Sequence, residues 1–500
     1  MSEIMSYAKR IAKGGAIIFF MTVLASCTGY LLRLFLARNL SVSDFGLFYS
    51  VAAFISFFWL FKDLGIGQAI VKFIPEYIVK KKYNEMKSLI IFSYGIQYII
   101  GIAIFFPLFF FSDYIAINFF HNIAASPIIK ILSLEFLITA TITKNILQGF
   151  QKINFFASIE FFRTLIIFIL LFFFIPISVS DVAISYLVAS LFLQIIFMSY
   201  IFSQIKNYRS NIILKKFDNV FKFGFAVFVS GIAGWIIAYT DTLVITFFRS
   251  IKEVGLYQVA LPTSQLLWIF VASLSWILFP VLSEMWAKNH KKHLSKGIGV
   301  LLKISFIFII PFALIIISFP ELILNIVFGG EYREAALSLQ VLSVGAIFYT
   351  LMTIFSTILN AIGKPQINTK IIILVATFNL IFNIIFVPLF GIIGAAVTSL
   401  LSYIIGFLLS VNFSKKYITI NIKWISLAKT FILGVVSLIL IYVIKGILIM
   451  DPIAEAIISL ILILGFYAFI IIYKILDKDD FEILRSVSPR LTEKLERLRL

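Results

Sequence analysis

The sequence predicts an all-α integral membrane protein, and three observations support this prediction. Apolar residues make up 61% of the 500-residue chain and charged residues only 13%, whereas soluble domains have about 45–50% and about 25%. The apolar residues form runs long enough for a helix of about 20 residues to cross the hydrocarbon. Runs such as Leu165–Phe174 show no alternation of polarity, which argues against the strands of a membrane β-barrel.

The apolar runs predict about fourteen membrane-spanning helices. In chain order these spans cover residues 14–37, 44–68, 89–111, 127–148, 156–177, 182–204, 220–247, 254–282, 300–319, 335–360, 370–389, 391–413, 425–449 and 453–475. An even number of spans places both termini on the same side of the membrane. No predicted loop is long enough for a folded soluble domain, so any transport or chemistry is expected among the helices themselves.

The basic residues predict the orientation of the helices. The chain has 42 Lys and Arg against 24 Asp and Glu, a net charge of +18. Basic clusters such as Lys80–Lys82, Lys215–Lys216 and Lys415–Lys416 all fall in alternate loops, which is typical of cytoplasmic loops. In the opposite loops the basic residues are Arg38, Lys130, Arg249, Lys252, Arg333 and Lys445. We therefore expect a cytoplasmic-membrane protein with cytoplasmic termini, and no nucleic-acid partner.

The residue types that build metal sites and catalytic centres are sparse. Cys27 is the single cysteine, which excludes an intramolecular disulfide and a cysteine-based metal site. The three histidines have no zinc-ligand spacing. We therefore expect no metal, no cofactor and no enzymatic activity.

The chain contains an internal repeat. At an offset of 209 residues Asp44 aligns with Glu253, Gly46 with Gly255, and Trp59 with Trp268. At an offset of 212 the segment "ILQGFQK" aligns with "ILNAIGK". The alternative interpretation is chance similarity between apolar stretches. Because each half has an even number of spans, the repeat would be parallel, as in transporters whose halves enclose a central site.

This repeat predicts four parts of the chain. They are residues 1–215 with helices 1–6, residues 216–420 with helices 7–12, residues 421–476 with an extra helix pair, and residues 477–500 as a cytoplasmic amphipathic tail. The tail has an apolar leucine stripe on a charged helix, a pattern suited to the membrane surface.

Charges within predicted spans are candidates for function, because each costs roughly 2.5–3.5 kcal/mol at mid-membrane. Arg33 has no acidic residue within one turn of its own helix. Its counter-charge would come from another helix or a ligand, or its side chain would extend to the headgroups. Arg163 follows Glu160 by three residues, a spacing that allows a structural pair on the same helix as readily as a substrate contact.

Three further charges lie within the predicted spans. Lys62 and Asp63 are adjacent and lie towards one end of the second span. Lys62 is interpreted either as a cavity residue or as a side chain that reaches the headgroups, and Asp63 as a cavity or helix-contact residue. Asp241 is a lone carboxylate that could carry a coupling proton or cation, or pair with Arg33.

The segments "LARNLSVSDFGLFYSV", "LFKDLGIGQAIVKF" and "YTDTLVITFFRSIKEVGLYQVA" resemble those of the polysaccharide-repeat-unit flippases. This family belongs to the multidrug/oligosaccharidyl-lipid/polysaccharide exporter superfamily, and the resemblance covers about residues 5–475. It implies two six-helix bundles and the translocation of a polyprenyl-(pyro)phosphate-linked oligosaccharide between leaflets by alternating access. The extra helix pair resembles that of peptidoglycan-precursor flippases, where such helices line a groove for the lipid tail.

The resemblance also implies a basic cavity for the anionic headgroup. Its candidates here are Arg33, Lys62 and Arg163, with Asp63, Glu160 and Asp241 as coupling or cavity carboxylates. The implied partners are the lipid-linked oligosaccharide, membrane lipid, and a polysaccharide polymerase or glycosyltransferase.

Two other functions compete with the flippase. A multidrug or cation antiporter of the same superfamily needs acidic residues in its first bundle, but the first span has Arg33 and no carboxylate. A membrane-embedded glycosyltransferase or polymerase needs a sizeable extramembrane loop with paired carboxylates or a metal site, which the sequence does not display.

Overall fold

The computed structural model describes residues 2–210, 218–418, 424–447 and 451–472. Over these residues the chain is built from α-helices with short connections, and it has no β-strand. In chain order the helices are α1 (Ser2–Asn39), α2 (Val42–Asp63), α3 (Ile66–Val79), α4 (Tyr83–Phe110), α5 (Ser112–Asn118), α6 (Ala125–Ser133), α7 (Glu135–Ile138), α8 (Ile142–Gly149), α9 (Ile153–Phe172), α10 (Val179–Ile205), α11 (Asp218–Phe248), α12 (Ile251–Ala287), α13 (Lys291–Ser318), α14 (Pro320–Val327), α15 (Ala336–Ala361), α16 (Pro365–Lys415), α17 (Trp424–Ile447) and α18 (Pro452–Ile472). The predicted tail 477–500 lies outside the described residues.

The predicted all-α membrane fold is confirmed. Ten helical segments of the described residues are long and apolar enough to cross a membrane. This count covers the described residues only, and the total of about fourteen spans stays a prediction. The segment α16 contains two helices that meet at Gly391, whose backbone is not helical (φ 58°, ψ −138°), and they correspond to the two spans predicted at 370–389 and 391–413.

Two other predicted spans are interrupted within the membrane region. The span at 44–68 breaks after α2, where Leu64 and Gly65 have left-handed backbone conformations (φ 45° and 72°) before α3 begins. The span at 127–148 is divided into α6, α7 and α8. Breaks of this kind release backbone carbonyls and amides that need polar partners in an apolar surrounding.

The helix ends follow the repeat seen in the sequence. Helices α1 and α11 end at Asn39 and Phe248, which are 209 residues apart, and α2 and α12 begin with the same separation. Helices α8 and α15 end 212 residues apart, at Gly149 and Ala361. The same two offsets thus relate both sequence and helix boundaries.

The described helices form two compact units. The first contains Met1–Gln258 and Ala376–Ala395, and the second contains Val259–Val375 and Ala396–Leu500. In the first unit an apolar core joins α3, α4, α8 and α10, and α11 packs on α2 and α3. In the second unit a core joins α12, α13, α15 and α18. The predicted boundaries at residues 215 and 420 stay predictions. The first compact unit extends beyond residue 215 and includes α11, because α11 contacts α2 and α3.

Candidate functional site

Arg33 is held by neutral groups of two other helices. Its Nη1 donates to the carbonyl oxygen of Gln258 (2.7 Å) and to the Oε1 of the same residue (2.9 Å). Its guanidinium carbon lies 3.9 Å from the centre of the Tyr49 ring. Tyr49 and Gln258 are 209 residues apart and therefore occupy equivalent positions in the repeat. Within the part of the chain that the structure describes, no carboxylate lies within ion-pair distance of Arg33, whose hydrogen bonds and ring contact are all with uncharged groups.

Arg163 of α9 lies in a more charged environment. Its Nη1 is 3.8 Å from Glu160 Oε2, and Glu160 Oε1 accepts a hydrogen bond from Lys144 Nζ (2.8 Å). The guanidinium also lies 5.5 Å from the centre of the Tyr186 ring. The side chain of Arg163 keeps 36% of its surface exposed. The Glu160–Arg163 pair that the spacing allows is therefore present, and both of its side chains stay partly exposed.

A row of three aromatic rings connects the two arginines. The Phe48 ring centre lies 5.3 Å from that of Tyr49, which Arg33 covers, and 5.1 Å from that of Tyr186, which Arg163 approaches. Helix α9, which carries Arg163, packs against both α1 and α10. Two cations from separate helices thus share one partly exposed aromatic region, which we call the arginine–tyrosine cluster (Arg33, Tyr49, Arg163 and Tyr186).

Lys62 lies outside the arginine–tyrosine cluster, and its amino group binds backbone carbonyls. The residue is 0% exposed, so its side chain does not extend to the headgroups. Its Nζ donates to the carbonyl oxygens of Phe136 (2.6 Å) and Thr139 (2.5 Å), and it lies 5.0 Å from the Trp59 ring centre. These carbonyls are at the interruption between α7 and α8. Lys62 thus replaces the missing helical hydrogen bonds of this break.

Asp63 stabilises the neighbouring break. Its Oδ1 accepts hydrogen bonds from Thr141 Oγ1 (3.0 Å) and Gln97 Nε2 (3.2 Å). Of the two predicted roles, the structure places this carboxylate in helix–helix contacts at the turn from α2 to α3.

Asp241 belongs to a buried polar group in α11, α12 and α16. It is 3% exposed and accepts hydrogen bonds from the Tyr257 hydroxyl and from Asn383 Nδ2, the latter at 2.7 Å. Asn383 Nδ2 also donates to the Asn379 carbonyl (3.0 Å). The Oδ1 atom of Asn383 is buried without a hydrogen-bond partner among the described residues. Arg33 binds Gln258 rather than Asp241, but the two groups are connected, since Gln258 Nε2 donates to Thr242 Oγ1 (2.7 Å).

Sequence reasoning missed Glu135, Gln258 and the two tyrosines of the cluster. Glu135 is 7% exposed and accepts a hydrogen bond from Ser190 Oγ (3.0 Å), which lies one helical turn after Tyr186 of the cluster. Its charge within the span 127–148 was a usable signal. Gln258 carries no charge, and only its repeat alignment with Tyr49 would have singled it out.

Two family models match the chain. The model described as "Polysaccharide biosynthesis protein" matches residues 11–286. The model described as "Lipid II flippase MurJ" matches residues 156–465. Each match covers more than half of the chain.

The chain is also similar in sequence to individual membrane proteins. An uncharacterized membrane protein of Methanocaldococcus jannaschii is 34% identical over 89% of this chain and 92% of its own length. A probable low-salt glycan biosynthesis flippase, Agl15, of Haloferax volcanii is 27% identical over 39% of this chain and 42% of its own length. A putative O-antigen transporter of Shigella flexneri is 24% identical over 73% of this chain and 88% of its own length.

Solved structures share the fold. The lipid II flippase MurJ in an inward closed conformation superposes with a TM-score of 0.72 at 20% identity, covering 91% of this chain and 98% of MurJ. An inward-facing multidrug resistance MATE transporter of the MOP superfamily superposes with a TM-score of 0.65 at 16% identity, covering 80% and 96%. At these identities the likeness concerns the fold alone.

Proposed function

Because the chain belongs to the polysaccharide biosynthesis protein family and also matches the lipid II flippase MurJ family over more than half of its length, we propose that it is a flippase for a polyprenyl-(pyro)phosphate-linked oligosaccharide. The substrate would pass from the inner to the outer leaflet by alternating access, for the synthesis of a cell-surface glycan. The name of the Haloferax relative, a glycan biosynthesis flippase, supports this substrate class. The chain would act as a transporter that leaves the covalent bonds of its substrate intact.

The placement of Arg33 and Arg163 at the two ends of one row of aromatic rings (Tyr49, Phe48 and Tyr186) is the observation that supports the proposal most. A phosphate that enters the hydrocarbon loses its hydration, and a fixed cation must replace it. Arginine suits this task because its guanidinium stays charged and binds phosphate oxygens with two parallel hydrogen bonds. Arg33 brings a charge that no carboxylate of the described residues neutralises, and Arg163 brings a second, partly exposed guanidinium. The polyprenyl tail would remain in lipid while the headgroup crosses.

A multidrug or cation antiporter of the same superfamily is the alternative. The MATE transporter shares the fold, but a site that attracts cations needs carboxylates directed into it. The spanning part of α1, Ile17–Asn39, has none. The positive charge of the arginine–tyrosine cluster favours an anionic substrate.

Asp241 is the candidate for coupling transport to an ion. A carboxylate that is almost fully buried beside the unpartnered Asn383 Oδ1 offers oxygen ligands, which a proton or a monovalent cation would satisfy. We propose that this group carries the coupling ion, apart from the arginines that hold the headgroup. We also propose the cytoplasmic membrane as the location, cytoplasmic termini, and a polymerase or glycosyltransferase as a partner.

The test is reconstitution of the full chain into liposomes that contain a fluorescent polyprenyl-diphosphate glycan. A membrane-impermeant quencher measures how much of the lipid changes leaflet. Arg33→Ala and Arg163→Ala are each expected to lower the rate roughly tenfold or more, since a charge-assisted hydrogen bond contributes about 1.5–3 kcal/mol. Arg209→Ala removes an exposed arginine outside the cluster and serves as the matched control. Unchanged rates in both cluster variants would refute the role of the arginines, and a wild-type protein that moves no glycolipid would refute the function.

A further inference from the structure

Two aromatic side chains of α11 form an ordered surface that the headgroup site leaves unused. Trp235 and Tyr239 are one helical turn apart, and their ring centres are separated by 5.5 Å with a 31° angle between the planes. Trp235 is fixed in place, because its Nε1 donates to Ser56 Oγ (2.9 Å) and its ring lies 4.9 Å from that of Phe57. The Tyr239 ring rests on Trp235 and keeps 36% of its surface exposed.

This surface adjoins the arginine–tyrosine cluster. Helix α11 packs on α2, and Trp235 contacts Ser56 and Phe57 of that helix, about two turns after Tyr49 of the cluster. Beside Arg163 lie Glu160 and Lys144, both partly exposed and joined by a 2.8 Å hydrogen bond. Aromatic rings, a guanidinium and exposed hydrogen-bonding groups thus occur together in the first compact unit.

Each of these groups matches one part of a sugar phosphate. The face of an aromatic ring carries partial negative charge and attracts the partly positive C–H groups on the apolar face of a pyranose. Carboxylate and ammonium groups bind sugar hydroxyls, and guanidinium binds phosphate. Binding sites for small ligands commonly combine apolar walls with a few directed polar groups in this manner. Fixing an aromatic side chain also loses little conformational entropy, because it rotates about only two side-chain torsions.

We propose that Trp235 and Tyr239 form a stacking site for the sugar ring attached to the phosphate, with Tyr239 as the contact surface and Trp235 as its support. This inference rests on the proposed flippase function and deepens it. The site favours a pyranose with a continuous apolar face, and it makes the carrier selective for the sugar-bearing lipid over the bare polyprenyl diphosphate.

The experiment compares two probes on the full-length reconstituted protein. One is a fluorescent polyprenyl diphosphate that carries a single hexose, and the other is the same lipid without sugar. The measured quantity is the ratio of the two affinities. Tyr239→Leu is expected to reduce the preference for the hexose lipid roughly three- to tenfold, the range of an aromatic contact. Tyr239→Phe keeps the ring and should restore most of the preference that the leucine variant loses. Phe225→Leu removes an exposed ring of the same helix and is the matched control.

The outcomes separate the two proposals. If Tyr239→Leu changes the affinity for both lipids equally, or for neither, the stacking site is refuted while the flippase function stands. If the wild type binds neither lipid, the flippase function itself is refuted. Should the leucine variant fail to fold, the difference in fluorescence between the wild type and Trp235→Phe provides a second measurement. A Trp235 emission change that both lipids produce equally refutes the proposal, and one that only the hexose lipid produces supports it.

Discussion

Gly46 of α2 and Gly255 of α12 face each other so closely that neither position has space for a side chain. A Cβ on Gly46 would lie 2.2 Å from the carbonyl oxygen of Ile251 and 2.7 Å from the amide nitrogen of Gly255. A Cβ on Gly255 would lie 2.1 Å from the carbonyl oxygen of Val42. The two glycines are 209 residues apart and each is the fifth residue of its helix. Equivalent positions of the repeat therefore form the contact between these two helices.

This contact predicts that Gly46→Ala destabilises the protein. The added methyl group has only backbone atoms as neighbours, which cannot rotate away, and overpacking of this kind costs about 1–3 kcal/mol. Thermal unfolding in detergent should show a lower Tm. Gly95→Ala is the control, since a Cβ at this helical position meets no atom within 4 Å and alanine favours the helix. Equal melting temperatures for Gly46→Ala and the wild type would contradict the close contact.

Lys62→Met is expected to destabilise the first compact unit. Methionine has a similar volume but leaves the carbonyl groups of Phe136 and Thr139 without the amino group that binds them. A buried polar group that loses its partner costs about 1–3 kcal/mol, and here two groups lose it. Denaturation with increasing detergent or heat measures the effect. Lys82→Met removes an exposed lysine that lies 3.4 Å from Glu85, and it should change stability little. If the Lys62→Met protein is as stable as the wild type but transports slowly, Lys62 would instead have a role in substrate binding.

Glu135→Gln is expected to tighten the binding of a polyprenyl phosphate. The carboxylate is bound to Ser190, one helical turn from the Tyr186 ring that Arg163 approaches. Its negative charge therefore opposes an anionic ligand at Arg163, whereas glutamine can still accept the hydrogen bond from Ser190. Two unit charges about 4 Å apart interact by about 1 kcal/mol even in water, so removal of one charge is expected to strengthen anion binding by roughly fivefold. A fluorescence titration with the phosphate lipid measures this change. Glu331→Gln alters the net charge equally at an exposed position, and a similar gain in that variant would show that the effect is not local.

Asp241→Asn is expected to remove the response of transport to an ion gradient. Asparagine can accept a hydrogen bond from Tyr257 but carries no charge to bind a cation and no site for a coupling proton. Proteoliposomes with an imposed proton or sodium gradient measure the response, and the affinity for the glycolipid should be retained because the arginines remain. A variant that responds to both gradients as the wild type does would exclude Asp241 as the coupling group.

Much of the site could be anticipated from the sequence, because embedded charges are conspicuous in apolar runs. Arg33 and Arg163 were identified in this way, and the structure places them at the two ends of one row of aromatic rings. The same signal also selected Lys62, whose amino group the structure commits to two carbonyls. A charge in a span indicates that the residue needs a polar partner, but it does not indicate whether this partner is the backbone, a side chain or a ligand.

The breaks in the spans could not be predicted in the same way. The run 127–148 is apolar enough for one continuous helix, yet it is divided into α6, α7 and α8. Lys62 satisfies the carbonyls at this interruption, although it is distant in sequence. A break is stable only when another helix places a polar partner beside it. The periodicity of residues within the run does not indicate whether such a partner is present.

The sequence alone determined that this chain spans a membrane as helices and that it repeats itself, because composition and spacing depend on neighbours along the chain. The tertiary structure decided which polar groups meet: Arg33 with Tyr49 and Gln258, and Asp241 with Tyr257 and Asn383. In an apolar surrounding each such group needs a partner nearby in space. That partner usually belongs to another helix, so only the packing of the helices determines what each charge can do.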